Sequence, residues 1–245
     1  MNLNKNNDQG QFLDYLNHWV AGLPVVGFVE LCTQPTKAAI ICVDMINGFC
    51  HAGPLASPRV KQIIQPILAL LKGGHRGGIT QILLTQDSHE PEAVEFGAFP
   101  PHCIRGTSEA ETIPEIKQLP FHPEMVLLEK NSIHSGLNTG LNAWLAQHPE
   151  LDTFILVGDC TDLCIYQLAM HLRLDANAHQ LNRRVVVPAD CVDTYDIGMD
   201  AATAIGAMPH PGDILHKIFL YHMALNAIEI VATIQMKNEV SNELI

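Results

Sequence analysis

The stretch VGDCTDLCI, residues 157–165, carries two thiols, Cys160 and Cys164, directly behind an apolar run. Such a pair can bind a metal, cycle between thiol and disulfide, or consist of one nucleophile and an incidental neighbour. Thioredoxin-like redox motifs space their cysteines C-x-x-C, and a zinc site wants a second nearby pair. A redox or metal-binding protein built on Cys160 and Cys164 is therefore the alternative of a different class, and a single nucleophile is the other chemical reading. A thiol acts as a nucleophile when a cation or a helix N-terminus favours its ionised form and a carboxylate can take its proton. Asp44 follows the apolar run AAIICV and Lys130 closes MVLLEK, so an acid and an ammonium of the required kinds exist. Each has a plainer reading: an Asp after a strand is often a turn residue, a Lys there a solvated charge, and a Cys in an apolar stretch a small core residue.

A second constellation lies in DSHEPEAVEFGAFPPHC, where Asp87, His89, Glu95 and His102 supply hard oxygen and imidazole donors within one loop. That set suits a divalent metal with coordination positions left open. It also fits a polar loop with Asp87 as a cap and His102 packed among prolines. His51, His75, His122, His134, His171, His179, His210, His216 and His222 show no ligand spacing and read as surface or satisfied core residues. Cys42, Cys50, Cys103 and Cys191 read as packing residues.

The elements that must position these groups follow from periodicity. Runs of four to eight apolar residues in KAAIICVDMING, ITQILLTQDSH, EMVLLEKNS, TFILVGDCTD and RRVVVPADC are apolar on both faces, as strands of a covered parallel sheet must be. Between them, SPRVKQIIQPILALLKGG, GLNAWLAQHPE and CIYQLAMHLRLDANAHQ have helical spacing. Pro66 is expected to kink the first of these and Gly73 and Gly74 to stop it. QFLDYLNHWVAGL predicts a leading helix, and the tail DILHKIFLYHMALNAIEIVATIQM predicts helix and a last short strand. The alternation is that of an α/β fold, a three-layer sandwich with a mostly parallel central sheet of Rossmann-like topology. The chain reads as one domain over residues 1–245, with residues 1–35 as an N-terminal helical extension. The extension's apolar side is covered either by a second copy in a homo-oligomer or, more plainly, by its own subunit. In an open parallel sheet, ligands bind at the carboxyl ends of the strands. Reading only those ends collects Asp44, Asp87, His89, Lys130 and Cys164 on one rim.

Composition narrows the partners. A formal net charge of −12 without any basic run argues against nucleic acid and against an anionic membrane surface. No apolar run reaches the roughly 18 residues of a membrane span, and the N-terminus lacks the pattern of a secretory signal. Seven cysteines scattered over the chain suit a reducing, cytoplasmic setting rather than a disulfide scaffold.

Four stretches, VDMINGF with Asp44, DSH…FPPHCIRGT, LEKNS with Lys130, and VGDCTDLCI with Cys164, together resemble the isochorismatase-like cysteine hydrolase superfamily, and within it the nicotinamidases. The likeness spans roughly residues 38–235. It implies that Cys164 is the nucleophile, Asp44 the general base and Lys130 the charge that organises both. It further implies a metal held by Asp87, His89 and His102 with Glu95 as a fourth ligand, Zn2+ first and Fe2+ or Mn2+ next. Phe49 and Phe99 match residues that line the ring of a bound amide, and the backbone N–H groups of Cys160 and Cys164 match an oxyanion hole beside a cis Asp159–Cys160 peptide. The implied activity is hydrolysis of nicotinamide to nicotinate and ammonia through a thioester, a step of NAD salvage. On the same fold, a ureido or carbamoyl amidase and an isochorismatase-type hydrolase are the alternatives. The chain departs from the pattern in reading GDCTD where several nicotinamidases have GIATD, and NSIHSGLNTG after Lys130. VDMINGFC, PPHCIRGT and HPGDILHKIFLYHMA are closer to the plant-type group.

Overall fold

A computed structural model describes residues 5–236; residues 1–4 and 237–245, and with them part of the polar N-terminal opening, lie outside the described residues. The chain runs α1 (Lys5–Ala21), β1 (Val25–Gly27), α2 (Phe28–Leu31), β2 (Ala38–Val43), α3 (Asn47–Cys50), α4 (Pro58–Gln62), α5 (Ile64–Arg76) and β3 (Gln81–Asp87). It continues through α6 (Pro114–Lys117), β4 (Val126–Lys130), α7 (Leu141–Gln147), β5 (Thr153–Asp159), α8 (Cys164–His179), β6 (Arg184–Pro188) and β7 (Val192–Asp193). It closes with α9 (Met199–Ile205), α10 (Gly212–Leu225), β8 (Glu229–Val231) and β9 (Thr233–Gln235).

The central sheet has the order β4-β3-β2-β5-β6-β8, with β7 pairing β5, and every pairing is parallel. A small parallel pair, β1 with β9, ties the leading segment to the last strand. Alternation along the strands makes two cores. Ile40, Cys42, Ile155 and Val157 face α5, packing on Ile67 and Leu71; Ile41, Val43, Phe154 and Leu156 face α7 and α8, packing on Trp144, Ile165 and Leu168. The result is the expected three-layer α/β sandwich.

Three local expectations are corrected. Strand β4 is an edge strand rather than a doubly covered one, and Leu127 stands 53% exposed. Pro66 does not kink a continuous helix: the chain breaks at Ile63, and Pro66 falls in the first turn of α5, where no backbone N–H is required. Gly73 and Gly74 do not stop that helix, which runs to Arg76. A Cβ on Gly74 would lie 2.7 Å from Ile40 Cδ1, so this glycine lets α5 sit close to the sheet.

The leading helix packs on α10, where Trp19, Phe12 and Tyr15 surround the Tyr221 ring. Leu16 is buried there, whereas Phe12, Leu13 and Tyr15 remain 41–50% exposed. Among the described residues no helix is long and apolar enough to cross a membrane.

The strand order reverses between β2 and β5, because β3 and β4 lie to one side of β2 and the later strands to the other. That switch point is where an open parallel sheet forms its crevice. Two devices shape it. Gly158, at φ +117°, has its backbone so close to β2 that an added Cβ would stand 2.0 Å from the Val43 carbonyl oxygen. The loop after β5 is then pinned by Asp162, which accepts from Thr194 Oγ1 at 2.5 Å and from His210 Nε2 at 2.8 Å. His210 Nδ1 meets the Tyr195 carbonyl at 2.9 Å, so both ring nitrogens face acceptors, an arrangement that favours the imidazolium. Arg59 closes the same region, bonding Asp193, the Thr194 carbonyl and Asp213.

Two outcomes follow. Gly158→Ala should lose about 2–4 kcal/mol of stability in urea unfolding, since the backbone of β2 must move to admit it; an unchanged midpoint would contradict the close approach. Burial pulls the His210 pKa down, but Asp162 and the Tyr195 carbonyl raise it above its ordinary value, and Asp162 is held below its own despite burial. The histidine's contribution is present below about pH 6.5 and is lost as pH rises through its raised value; the carboxylate's is present above about pH 4 and is lost as pH falls through its lowered one. His210→Gln should therefore cost more stability near pH 5.5 than near pH 8.5. Equal losses at the two values would show that the pair is not ionic.

Candidate active site

Lys130 ends β4 in register with Asp87 at the end of β3. Its Nζ lies 2.5 Å from Asp87 Oδ1, 2.8 Å from Asp44 Oδ2 and 3.6 Å from Cys164 Sγ. All four residues are buried. Asp44 follows β2 in a left-handed conformation, φ 55°, with its N–H donating to Thr85 and its Oδ1 accepting the Asp87 N–H at 2.7 Å. Asp44 Oδ2 is ion-paired to Lys130 off the hydrogen-bonding line, and among the described residues it has no hydrogen-bond partner. One oxygen each of Asp44 and Asp87 and the Cys164 sulfur lie within 4.8 Å of one another. Lys130 already supplies the cation of that cluster.

The electrostatics assign protons. Burial works to strip Lys130 of its charge, but Asp44 and Asp87 hold its pKa well above the ordinary value. Burial and then the Asp87 charge push the Asp44 carboxyl up to about 6, against the pull of Lys130. Burial pushes the Cys164 thiol well above its usual range; Lys130 draws it down, while Asp44 and Asp87 push it up. The resting sulfur thus keeps its proton, beside a carboxylate more basic than usual.

Cys164 is the first residue of the 16-residue helix α8, and no side chain caps that helix. The preceding turn closes on the Cys160 carbonyl, which accepts from the N–H groups of Leu163 and Ile165 at 3.1 Å each. Among the described residues the N–H groups of Cys160 and Cys164 have no protein acceptor. The Asp159–Cys160 peptide is cis. All seven cysteines are free and buried.

The loop after β3 brings Asp87 Oδ2 to 3.6 Å from His89 Nε2 and 3.9 Å from His102 Nε2. His89 Nδ1 is engaged by Asn131 Oδ1 at 3.2 Å and His102 Nδ1 donates to the Pro100 carbonyl at 2.8 Å, which turns both Nε2 atoms inward. His89 Nε2 and Glu95 Oε1 are buried without a hydrogen-bond partner, and they lie 3.9 Å apart. Orphaned donors of imidazole and carboxylate type, converging with their far sides already bonded, fit a divalent ion with outer-shell support. Asp87, His89 and His102 form the compact set; Glu95 stands at its edge, its Oε2 accepting from the Ile133 N–H.

Both constellations border one narrow cleft, whose wall includes Phe49, Leu55, Phe99, Ile133, Leu163 and Tyr195. The Phe49 and Phe99 rings lie 5.6 and 6.2 Å from that of His102. The site residues read from the sequence line this cleft, apart from Lys130 and His89, which stand behind it against Asp87. Sequence reasoning missed Asn131, whose only signal was its place beside Lys130, and Tyr195, Leu163, Ile133 and Leu55, which carried none. It also missed Asp159, another lining residue of the cleft.

Comparison with known proteins places the chain among relatives of the same fold. Nicotinamidase 1 of Arabidopsis thaliana is 26% identical over 222 residues, 84% of this chain and 90% of that protein. Two solved structures share the fold at 24% identity: the N-carbamoylsarcosine amidase of Thermoplasma acidophilum (TM-score 0.61, covering 82% of this chain and 99% of that one) and the zinc complex of the Pyrococcus horikoshii pyrazinamidase (TM-score 0.60, covering 80% and 98%). Residues 38–215, which carry the Asp44, Lys130 and Cys164 cluster, the Asp87, His89 and His102 set and the crevice between β2 and β5, match the isochorismatase domain, and the chain belongs to that family, with nicotinamidases among its relatives.

Proposed function

We propose that the protein is a metal-containing cysteine amidohydrolase that converts nicotinamide to nicotinate and ammonia. The observation that carries this reading is the meeting, in one aromatic-walled cleft, of a Cys–Asp–Lys cluster and a carboxylate–imidazole set. In this reading the amide's flat ring lies against the cleft wall that Phe49 and Phe99 help to form, with its carboxamide toward Cys164 and its ring nitrogen toward the imidazoles.

The chemistry follows from the resting protonation. As Cys164 Sγ attacks the carboxamide carbon, Asp44 takes the thiol proton, and the adjacent Lys130 ammonium stabilises the charge that develops on sulfur. The N–H groups of Cys160 and Cys164 receive the oxyanion. Asp44 returns the proton to nitrogen as the C–N bond breaks, ammonia leaves, and the acyl group remains on Cys164 as a thioester. Asp44 next deprotonates a water that attacks the thioester, and the acid leaves as the thiol is restored. A divalent ion on Asp87, His89 and His102, zinc in the first instance, supplies a Lewis-acid anchor for a ring nitrogen. Lys130 keeps its proton throughout, because neutralising it would leave two carboxylates facing each other.

Ammonia release from nicotinamide, assayed beside ureido and N-carbamoyl compounds, tests the substrate; turnover of one of those with none of nicotinamide would overturn the assignment. Cys164→Ala should lower kcat by about a thousandfold or more, whereas Cys160→Ala, which keeps the backbone N–H, should retain most activity. Equal losses would return both thiols to a shared role. Chelation should raise KM for nicotinamide while leaving the rate of Cys164 alkylation by iodoacetamide nearly unchanged; loss of alkylation on chelation would contradict the division of labour.

A further inference from the structure

One polar group in the cleft belongs neither to the nucleophile cluster nor to the metal set. Asp159 lines the cleft and is 1% exposed. Strand β5 explains its direction: Ile155 and Val157 face the core under α5, and the two-residue period places Asp159 on that same face, at the strand's carboxyl end. Its Oδ2 has the Cys160 thiol 3.9 Å away, a long and weak contact. Its Oδ1 is buried and, among the described residues, has no hydrogen-bond partner.

A buried carboxyl with an unpaired oxygen is costly, and an apolar residue would pack there without that cost. Apolar side chains, Phe49 and Leu55 among them, line the same cleft. Burial and the Asp44 charge raise the Asp159 pKa well above its ordinary value, which favours the protonated carboxyl, a donor as well as an acceptor. A ligand that meets this oxygen restores the missing bond; one that lacks a matching group leaves it unpaired. Sites built to hydrogen-bond a substrate group discriminate strongly against analogues without it.

We propose that Asp159 is a specificity-determining residue that hydrogen-bonds an amino or hydroxyl substituent on the substrate, making ring carboxamides with such a substituent better substrates than the plain amide. The inference rests on the amidohydrolase reading above and narrows its substrate class. The unsubstituted amide is still hydrolysed, because Asp159 holds none of the reacting atoms.

The test uses the full chain with nicotinamide and its amino, hydroxy and methyl derivatives at each free ring carbon, the methyl series controlling for size. At least one amino or hydroxy derivative should exceed its methyl counterpart in kcat/KM by about tenfold or more. Asp159→Leu should erase that gap, whatever its effect on nicotinamide itself, and melt at or above the wild-type temperature; Asp159→Asn should keep part of the gap. Polar and methyl derivatives turned over alike, or an Asp159→Leu variant slowed equally on every amide with a lowered melting temperature, would overturn the proposal while leaving the nicotinamidase reading intact. No turnover of any ring amide by a chain whose Cys164 still alkylates would overturn both. Should Asp159→Leu not fold, the wild-type panel and Asp159→Asn decide the matter.

Discussion

The site depends on the burial of one ammonium. Taking a lysine out of water costs several kcal/mol, and the cost is recovered only where opposite charges are held at contact distance. Lys130 is fully enclosed, and Asp44 and Asp87 meet it at 2.8 and 2.5 Å. The pairing fixes more than charge balance. It brings the ends of β2, β3 and β4 to one point, with the sulfur of Cys164 as the remaining neighbour. Removal of Lys130 would leave two buried carboxylates facing each other with no cation between them, so the cluster is held together by the cost of taking that ammonium away.

Asp87 serves two neighbourhoods. Oδ1 pairs with Lys130, whereas Oδ2 faces His89 and His102. Burial acts against its charge, but Lys130 and His89 hold its pKa below the ordinary carboxylate range. The cysteine cluster and the imidazole set are thus joined through one carboxylate and border the same cleft.

Much of this was legible in the sequence for a physical reason. Asp44, Asp87, Lys130 and Cys164 stand at the ends of apolar strands or the start of the helix that follows, and a parallel sheet sends all such positions to the same rim. Their plainer readings as caps or surface charges lost ground only when several chemically matched groups fell on that rim together. What stayed hidden depends on three-dimensional neighbours. Asp162 and His210 are 48 residues apart and meet only after the chain has crossed the sheet. Tyr195 enters the cleft from the segment beyond β7. The covered-strand pattern of β4 misled because its run of apolar residues does not reveal that the strand lies at the edge. The break before α5 was misplaced because a proline has the same letter whether it interrupts a helix or sits in its first turn.

The edge position of β4 has a consequence for how its register is held. Edge strands lack a second neighbour, and where one side is open a slip of one residue meets little resistance from packing. Here a slip would replace Lys130 with Glu129 or Asn131 opposite Asp87, exchanging the ammonium for a third carboxylate or a neutral amide. The same movement would carry Asn131 away from His89 and from the Glu90 N–H that it also accepts. Alignment of the most exposed strand in the sheet is therefore enforced from its far end, by the two groups it delivers. A segment that looks free to slide is anchored at its tip.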